Sequence, residues 1–157
     1  MIDYSKYQTT SAIPEASSMI ETFRAIGYNI ETAIADIIDN SISANSKNIW
    51  INFEWKGSKT WLSIKDDGIG MNDAELIQAM RPGSKNPLQE RNQKDLGRFG
   101  LGLKTASFSQ ARKLTVISKK ADYKSVFWTW DLDFVNKTGN WDLIKYLHDE
   151  NLETEIS

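Results

Sequence analysis

The chain has no cysteine, which excludes disulfides and thiolate zinc sites while fitting either redox compartment. No apolar stretch approaches the roughly 20 residues that cross a bilayer. The opening residues Met1-Ile2-Asp3-Tyr4-Ser5-Lys6 lack the basic-then-apolar order of a signal peptide. A cytoplasmic protein with no membrane partner is therefore expected. Charge of one sign is missing too: 19 Lys and Arg stand against 21 Asp and Glu, a net charge of -2. Such a balance argues against a broad electrostatic footprint for nucleic acid, which is bound by neutralising many phosphates, and leaves room only for a local basic patch. Internal repeats and low-complexity segments are absent as well.

What is present suffices for one domain with a real core: 157 residues, 40% of them hydrophobic. After a polar arm over residues 1–13, Pro14 to about Ile26 reads as a helix, with Met19, Ile20 and Phe23 on one side and Gly27 as its stop. A second helix from about Asn29 to Ala44 repeats Ile30, Ile34, Ile37 and Ile38 at helical spacing, with Asn29 as N-cap. Asp36, Asn40 and Ser43 fall on the face beside that stripe. Alternation over Ile49–Trp55 and Trp61–Asp66 predicts two strands joined by a turn at Lys56–Lys59. Period-two geometry carries Asp66 to the edge of the buried side, where an acid needs a partner. A short helix over Asp73–Met80 precedes a long loop, Arg81–Leu96, containing Pro82, Gly83 and Pro87. A further helix follows the glycine-rich segment, and strands over Leu114–Ser118 and Ser125–Leu132 close the readable part, joined by a turn at Ala121-Asp122.

Three blocks carry chemistry. In Asp36-Ile37-Ile38-Asp39-Asn40 a carboxylate stands one helical turn from a carboxamide. The acid can orient a water, and the amide oxygen suits Mg²⁺, which takes few protein oxygens and keeps waters and phosphate. Read alone, such a pair is a solvated helix face. In Asp66-Asp67-Gly68-Ile69-Gly70-Met71 an acid ends a strand at a glycine turn. Read alone this is a turn, but the position lets Asp66 accept from an exocyclic amine at close backbone approach. In Gly97-Arg98-Phe99-Gly100-Leu101-Gly102-Leu103-Lys104 the glycine order is neither that of a P-loop nor that of a dinucleotide fingerprint. Its glycines still turn backbone N–H groups toward anionic oxygens at a helix N-terminus, with Lys104 and Thr105 close by.

In this order and separation the blocks resemble the N, G1 and G2 boxes of the GHKL ATPases, the group of DNA gyrase B, the ninety-kilodalton heat-shock chaperone, sensor histidine kinases and MutL. Asp39-Asn40, Asp66–Met71 and Gly100–Ser107 look most like the MORC and chaperone-like branch. The resemblance implies the Bergerat fold, an α/β two-layer sandwich with a mixed, mostly antiparallel sheet covered on one face by helices. It implies ATP and Mg²⁺, with Asn40 holding the metal, Asp66 receiving the adenine amine, and Ala44, Gly68, Gly70 and Met71 around the base. Gly97 to Thr105 would close on the phosphates, Lys104 would stabilise developing charge, and Arg81–Leu96 would form a lid. Asp36 would be the general base, standing where hydrolytic members have Glu, one methylene longer. Because a displacement of about 1 Å can cost about 10² in rate, slow hydrolysis is expected. Ser43 stands where relatives often have Asp, and Asp39 matches MORC-like members.

Relatives place a late Thr under the adenine. Here the only late candidate is Thr154, without a preceding Gly, so a fragment lacking further domains is expected. Nucleotide-dependent homodimerisation through the arm, and a client or nucleic acid engaged through such domains, would follow from the resemblance. Two rival readings stand beside ATP hydrolysis: a nucleotide-gated binding module with negligible turnover, and a histidine-kinase-like phosphotransferase. The latter has only His148, in a polar stretch, to offer.

Overall fold

A computed structural model describes residues 3–25, 28–83 and 102–145. Within them the order is α1 (Ala16–Ala25), α2 (Ile30–Ser43), β1 (Ile49–Glu54), β2 (Trp61–Asp66), α3 (Asp73–Met80), α4 (Gly102–Gln110), β3 (Lys113–Ser118), β4 (Val126–Asp131) and α5 (Leu132–Thr138). The class is mixed α/β, with helices and short antiparallel sheets. Among the described residues β1 pairs with β2 and β3 with β4, two antiparallel hairpins in which Ile51 faces Ile64 and Val116 faces Trp128. An isolated bridge between Thr129 and Ile144 continues the second sheet.

Local chemistry sets the boundaries. Asn29 caps α2 by accepting from the Thr32 N–H at 2.8 Å. Asn72 and Glu75 close α3 with a reciprocal capping box. Asp131 ends β4 and caps α5 through the Asp133 and Phe134 N–H groups. The sequence reading carried the strand to Leu132 and missed α5, because the apolar alternation runs on past the cap.

The core joins Ala16 and Ile20 of α1, Leu76 and Met80 of α3, Phe108 of α4, Trp130 of β4, and Leu132 and Val135 of α5. Phe108 meets Trp130 edge-on, and the Trp130 indole donates to Met80 O at 3.0 Å, so the large ring is buried without an unpaired donor. Helix α4 lies between α1 and α2. Its consecutive residues Lys104, Thr105, Ala106, Ser107 and Phe108 are all buried, the mark of a helix enclosed on every side. On α2 the most buried residues are Ala33 and Ser41, whereas Ile30 is exposed. The small side chains, rather than the isoleucine stripe's first member, take the deepest positions. No helix among the described residues is long and apolar enough to cross a membrane.

Candidate functional site

Helix α2 collects the residues of the first two blocks. Asp36 is half-buried, and a Cβ placed on Gly102, the first residue of α4, would stand 3.5 Å from Asp36 Oδ2. The carboxylate thus sits against the start of the glycine-block helix. One turn on, the Asn40 amide nitrogen donates to the Asp36 backbone oxygen at 2.9 Å, which leaves Oδ1 as the ligating atom of that exposed side chain.

The next turn of α2 builds the second part. Buried Ser41 donates from Oγ to Asp66 Oδ2 at 3.0 Å, and the Gly68 N–H donates to Asp66 Oδ1 at 2.9 Å. Each oxygen therefore has one fixed donor and retains a lone pair for a further one. Asp66 itself is exposed, not edge-buried as its strand phase predicted, because it stands at the open end of β2. A Cβ on Gly68 would lie 2.8 Å from Ala44 Cβ and 2.8 Å from Asp66 Oδ1, and the Ile69 N–H bonds the Ala44 carbonyl at 3.0 Å. Only glycine allows this approach of the turn to the end of α2. Asp67 points the other way, accepting from the Lys47 and Asn48 N–H groups and from the Asn48 amide. The Asn48 and Lys47 donors hold its carboxyl below the usual range.

The turn is then pinned to the second hairpin. Gly70 has φ +63°, and a Cβ there would collide with the Lys119 carbonyl. The Met71 N–H donates to Ser118 Oγ at 2.8 Å, and the Met71 side chain packs against the core.

The third block divides. Gly102, Leu103, Lys104 and Thr105 are on α4, while Gly97, Arg98, Phe99, Gly100 and Leu101 lie outside the described residues, as do the expected lid from residue 84 onward, His148 and Thr154. Lys104 is buried, and its ammonium donates to Ala79 O in the last turn of α3 at 2.8 Å, a favourable place for a cation. It stands two residues, or about 200°, round the helix from Gly102. Asp36, Asn40, Gly102 and Thr105 are thus brought to one side, and Asp66, Ala44, Gly68 and Ser41 to the adjoining turn. The Lys104 ammonium is directed to α3.

Sequence reasoning passed over Ser41 and Tyr28. Ser41 had a signal: it stands seven, four and three residues after Ile34, Ile37 and Ile38, a hydroxyl on an apolar stripe. An acid needing a donor was already in view at Asp66. Tyr28 carries no motif signal, yet it is half-buried, its carbonyl accepts from the Gln110 amide at 2.7 Å, and burial first and Asp36 second raise its hydroxyl above the ordinary range. Among the described residues no cluster of three or more His, Cys, Asp or Glu could hold a metal alone. A cavity of about 690 Å³ lined by Met19, Phe23, Ile77 and three tryptophans, among others, includes none of the block residues in its described lining.

The profile of the histidine kinase-, DNA gyrase B- and HSP90-like ATPases matches residues 28–156. The chain is 32% identical over 89 residues to the ATPase morc-1 of Caenorhabditis elegans, covering 57% of this chain and 10% of that protein. It is 32% identical over 97 residues to the DNA mismatch repair protein MutL of Rickettsia akari, covering 61% of this chain and 16% of that one. MutL of Rickettsia bellii is 31% identical over the same length. The chain therefore spans only a small part of the curated relatives it matches.

Proposed function

The chain belongs to the histidine kinase-, DNA gyrase B- and HSP90-like ATPase family, and from that premise we propose that it binds ATP with Mg²⁺ along α2 and hydrolyses it slowly. The observation that carries the reading is the placement of Asp36 against Gly102, which joins the first block to the third where a γ-phosphate would meet the start of α4. Asp66, with both oxygens held by Ser41 and Gly68, reads the adenine amine. Ala44 and Gly68 pack closely beside it, and Gly70 and Met71 line the base.

Asp36, Asp39, Asp66 and Asp67 all lie on α2 or at the adjoining end of β2. Polyphosphate approaches so acidic a surface only with its charge offset. The Asn40 oxygen would hold a cation of the Mg²⁺ kind, which when bound would supply that offset and polarise the phosphate. Asp36 takes the proton of the attacking water as the new oxygen–phosphorus bond forms, and the bond to the β,γ-bridging oxygen breaks to leave ADP and inorganic phosphate. N–H groups at the start of α4 face the developing charge. Lys104 contributes by holding α4 to the end of α3.

ATP binding is further proposed to favour a homodimer in which residues 1–13 form the exchanged arm; Tyr7 and Ile13 there are exposed. Clients or nucleic acid would be engaged through regions outside this domain. The test is phosphate release by wild type and Asp36→Ala. Turnover that Asp36→Ala removes supports hydrolysis, while binding without turnover favours the nucleotide-gated module.

A further inference from the structure

The turn that follows β2 is attached on two sides. Toward α2, Gly68 packs against Ala44, and the Ile69 N–H bonds the Ala44 carbonyl at 3.0 Å. Toward the second hairpin no backbone ladder joins β2 to β3 among the described residues, so attachment there falls to individual groups at the end of β3. Gly70, with φ +63°, lies against the Lys119 carbonyl. The Lys120 ammonium pairs with Glu75, the capping acid of α3. Between these contacts the Met71 N–H donates to Ser118 Oγ at 2.8 Å.

Strand phase suits Ser118 to this place. Leu114, Val116 and Ser118 alternate along the half-buried side of β3, while Thr115 and Ile117 are exposed. The last residue of the strand thus presents a hydroxyl, where a third apolar side chain would continue the pattern. Met71 is itself half-buried, and an N–H there left without an acceptor costs more than the bond is worth.

We propose that Ser118 is a positioning residue for the nucleotide base: by holding the Met71 main chain it fixes the Gly68–Met71 turn as a wall beside Asp66, and so sets affinity for the base. The inference rests on the reading that this turn lines the adenine, and it assigns Ser118 no contact with nucleotide. The wall meets α2 at Ala44, eight residues beyond Asp36, or about 12 Å along a helix. Chemistry at the γ-phosphate is therefore left to other groups.

Ser118→Ala removes the acceptor and Ser118→Thr keeps it. In titration calorimetry with Mg²⁺ present, the Kd of Ser118→Ala for ATP and for ADP should rise by the same factor, between about three-fold and ten-fold, the worth of one hydrogen bond, because the two ligands share the base. Phosphate release at saturating ATP should change less than about two-fold, as when uniform binding is lost. Ser118→Thr should bring both Kd values back to within about two-fold of wild type, since the hydroxyl is retained. Thermal melts without nucleotide establish that each protein is folded. Wild-type affinity in Ser118→Ala, a loss confined to ATP, a fall in release at saturation, or equal losses in the alanine and threonine variants would overturn the role while leaving the ATPase reading intact. A folded wild-type chain with no saturable heat for either nucleotide would overturn the base site and the role of Ser118 together.

Discussion

At the scale of single residues the proposed site separates binding from chemistry, and substitutions should separate them too. Asp36→Ala removes the proposed base and should lower phosphate release by about 10² to 10⁴ while leaving nucleotide affinity nearly unchanged; Asn40→Ala should abolish Mg²⁺-dependent binding. Phosphate-release assays paired with calorimetry check both, and unchanged turnover in Asp36→Ala would remove the mechanism. Ser41→Ala strips Asp66 of the donor at Oδ2. Losing one such bond is worth about 1 kcal/mol, so affinity for ATP should fall roughly five-fold, and equal affinity in the variant would show that Ser41 does not orient the acid. Ser107 Oγ is buried without a partner among the described residues. Ser107→Ala should therefore be neutral or raise Tm, which a melting curve decides.

At the scale of elements, the joint between the two hairpins is the part most sensitive to shape. Gly70 has a positive φ and lies against the Lys119 backbone, so Gly70→Ala meets both strain and a collision that no side-chain rotation relieves. A cost of about 2 kcal/mol or more is expected, roughly 5 °C in Tm, and a variant melting with wild type would mean that the turn has room to shift. The sequence already showed α2, β2 and α3 with boundaries within a residue of those observed, because strong periodicity and side-chain caps are local signals. It also showed Asp36, Asn40 and Asp66 as candidates, since their spacing is local as well. Tertiary facts were not legible: Lys104 aims at Ala79 because α4 is enclosed by its neighbours. Helix α5 went unseen because Asp131 reads as the end of an alternating strand until its side chain is seen to accept from two N–H groups.

At the scale of the whole molecule, several carboxylates are held below their ordinary ranges, and acid should unfold the domain progressively. Glu15, bonded first by Ser17 and then Ser18, is lowered from 4.5 to about 2; Asp67 and Glu75 are lowered by Asn48 and Lys120 respectively. A depressed folded pKa gives stability that is present above the unfolded value and is lost as pH falls through the folded one. Melting temperature should therefore hold near neutral pH and decline from about pH 4.5 toward pH 2, less steeply in Asp67→Asn, which thermal scans across that range would check. The account as a whole depends on one ATP gathered along α2. Titration calorimetry of ATP with Mg²⁺ into wild type and Asp66→Ala tests this most directly. Saturable heat at one site per chain, lost in an Asp66→Ala protein that still melts cooperatively, is the predicted result; a folded wild type that shows no saturable heat, or an Asp66→Ala variant that binds as wild type does, would contradict it.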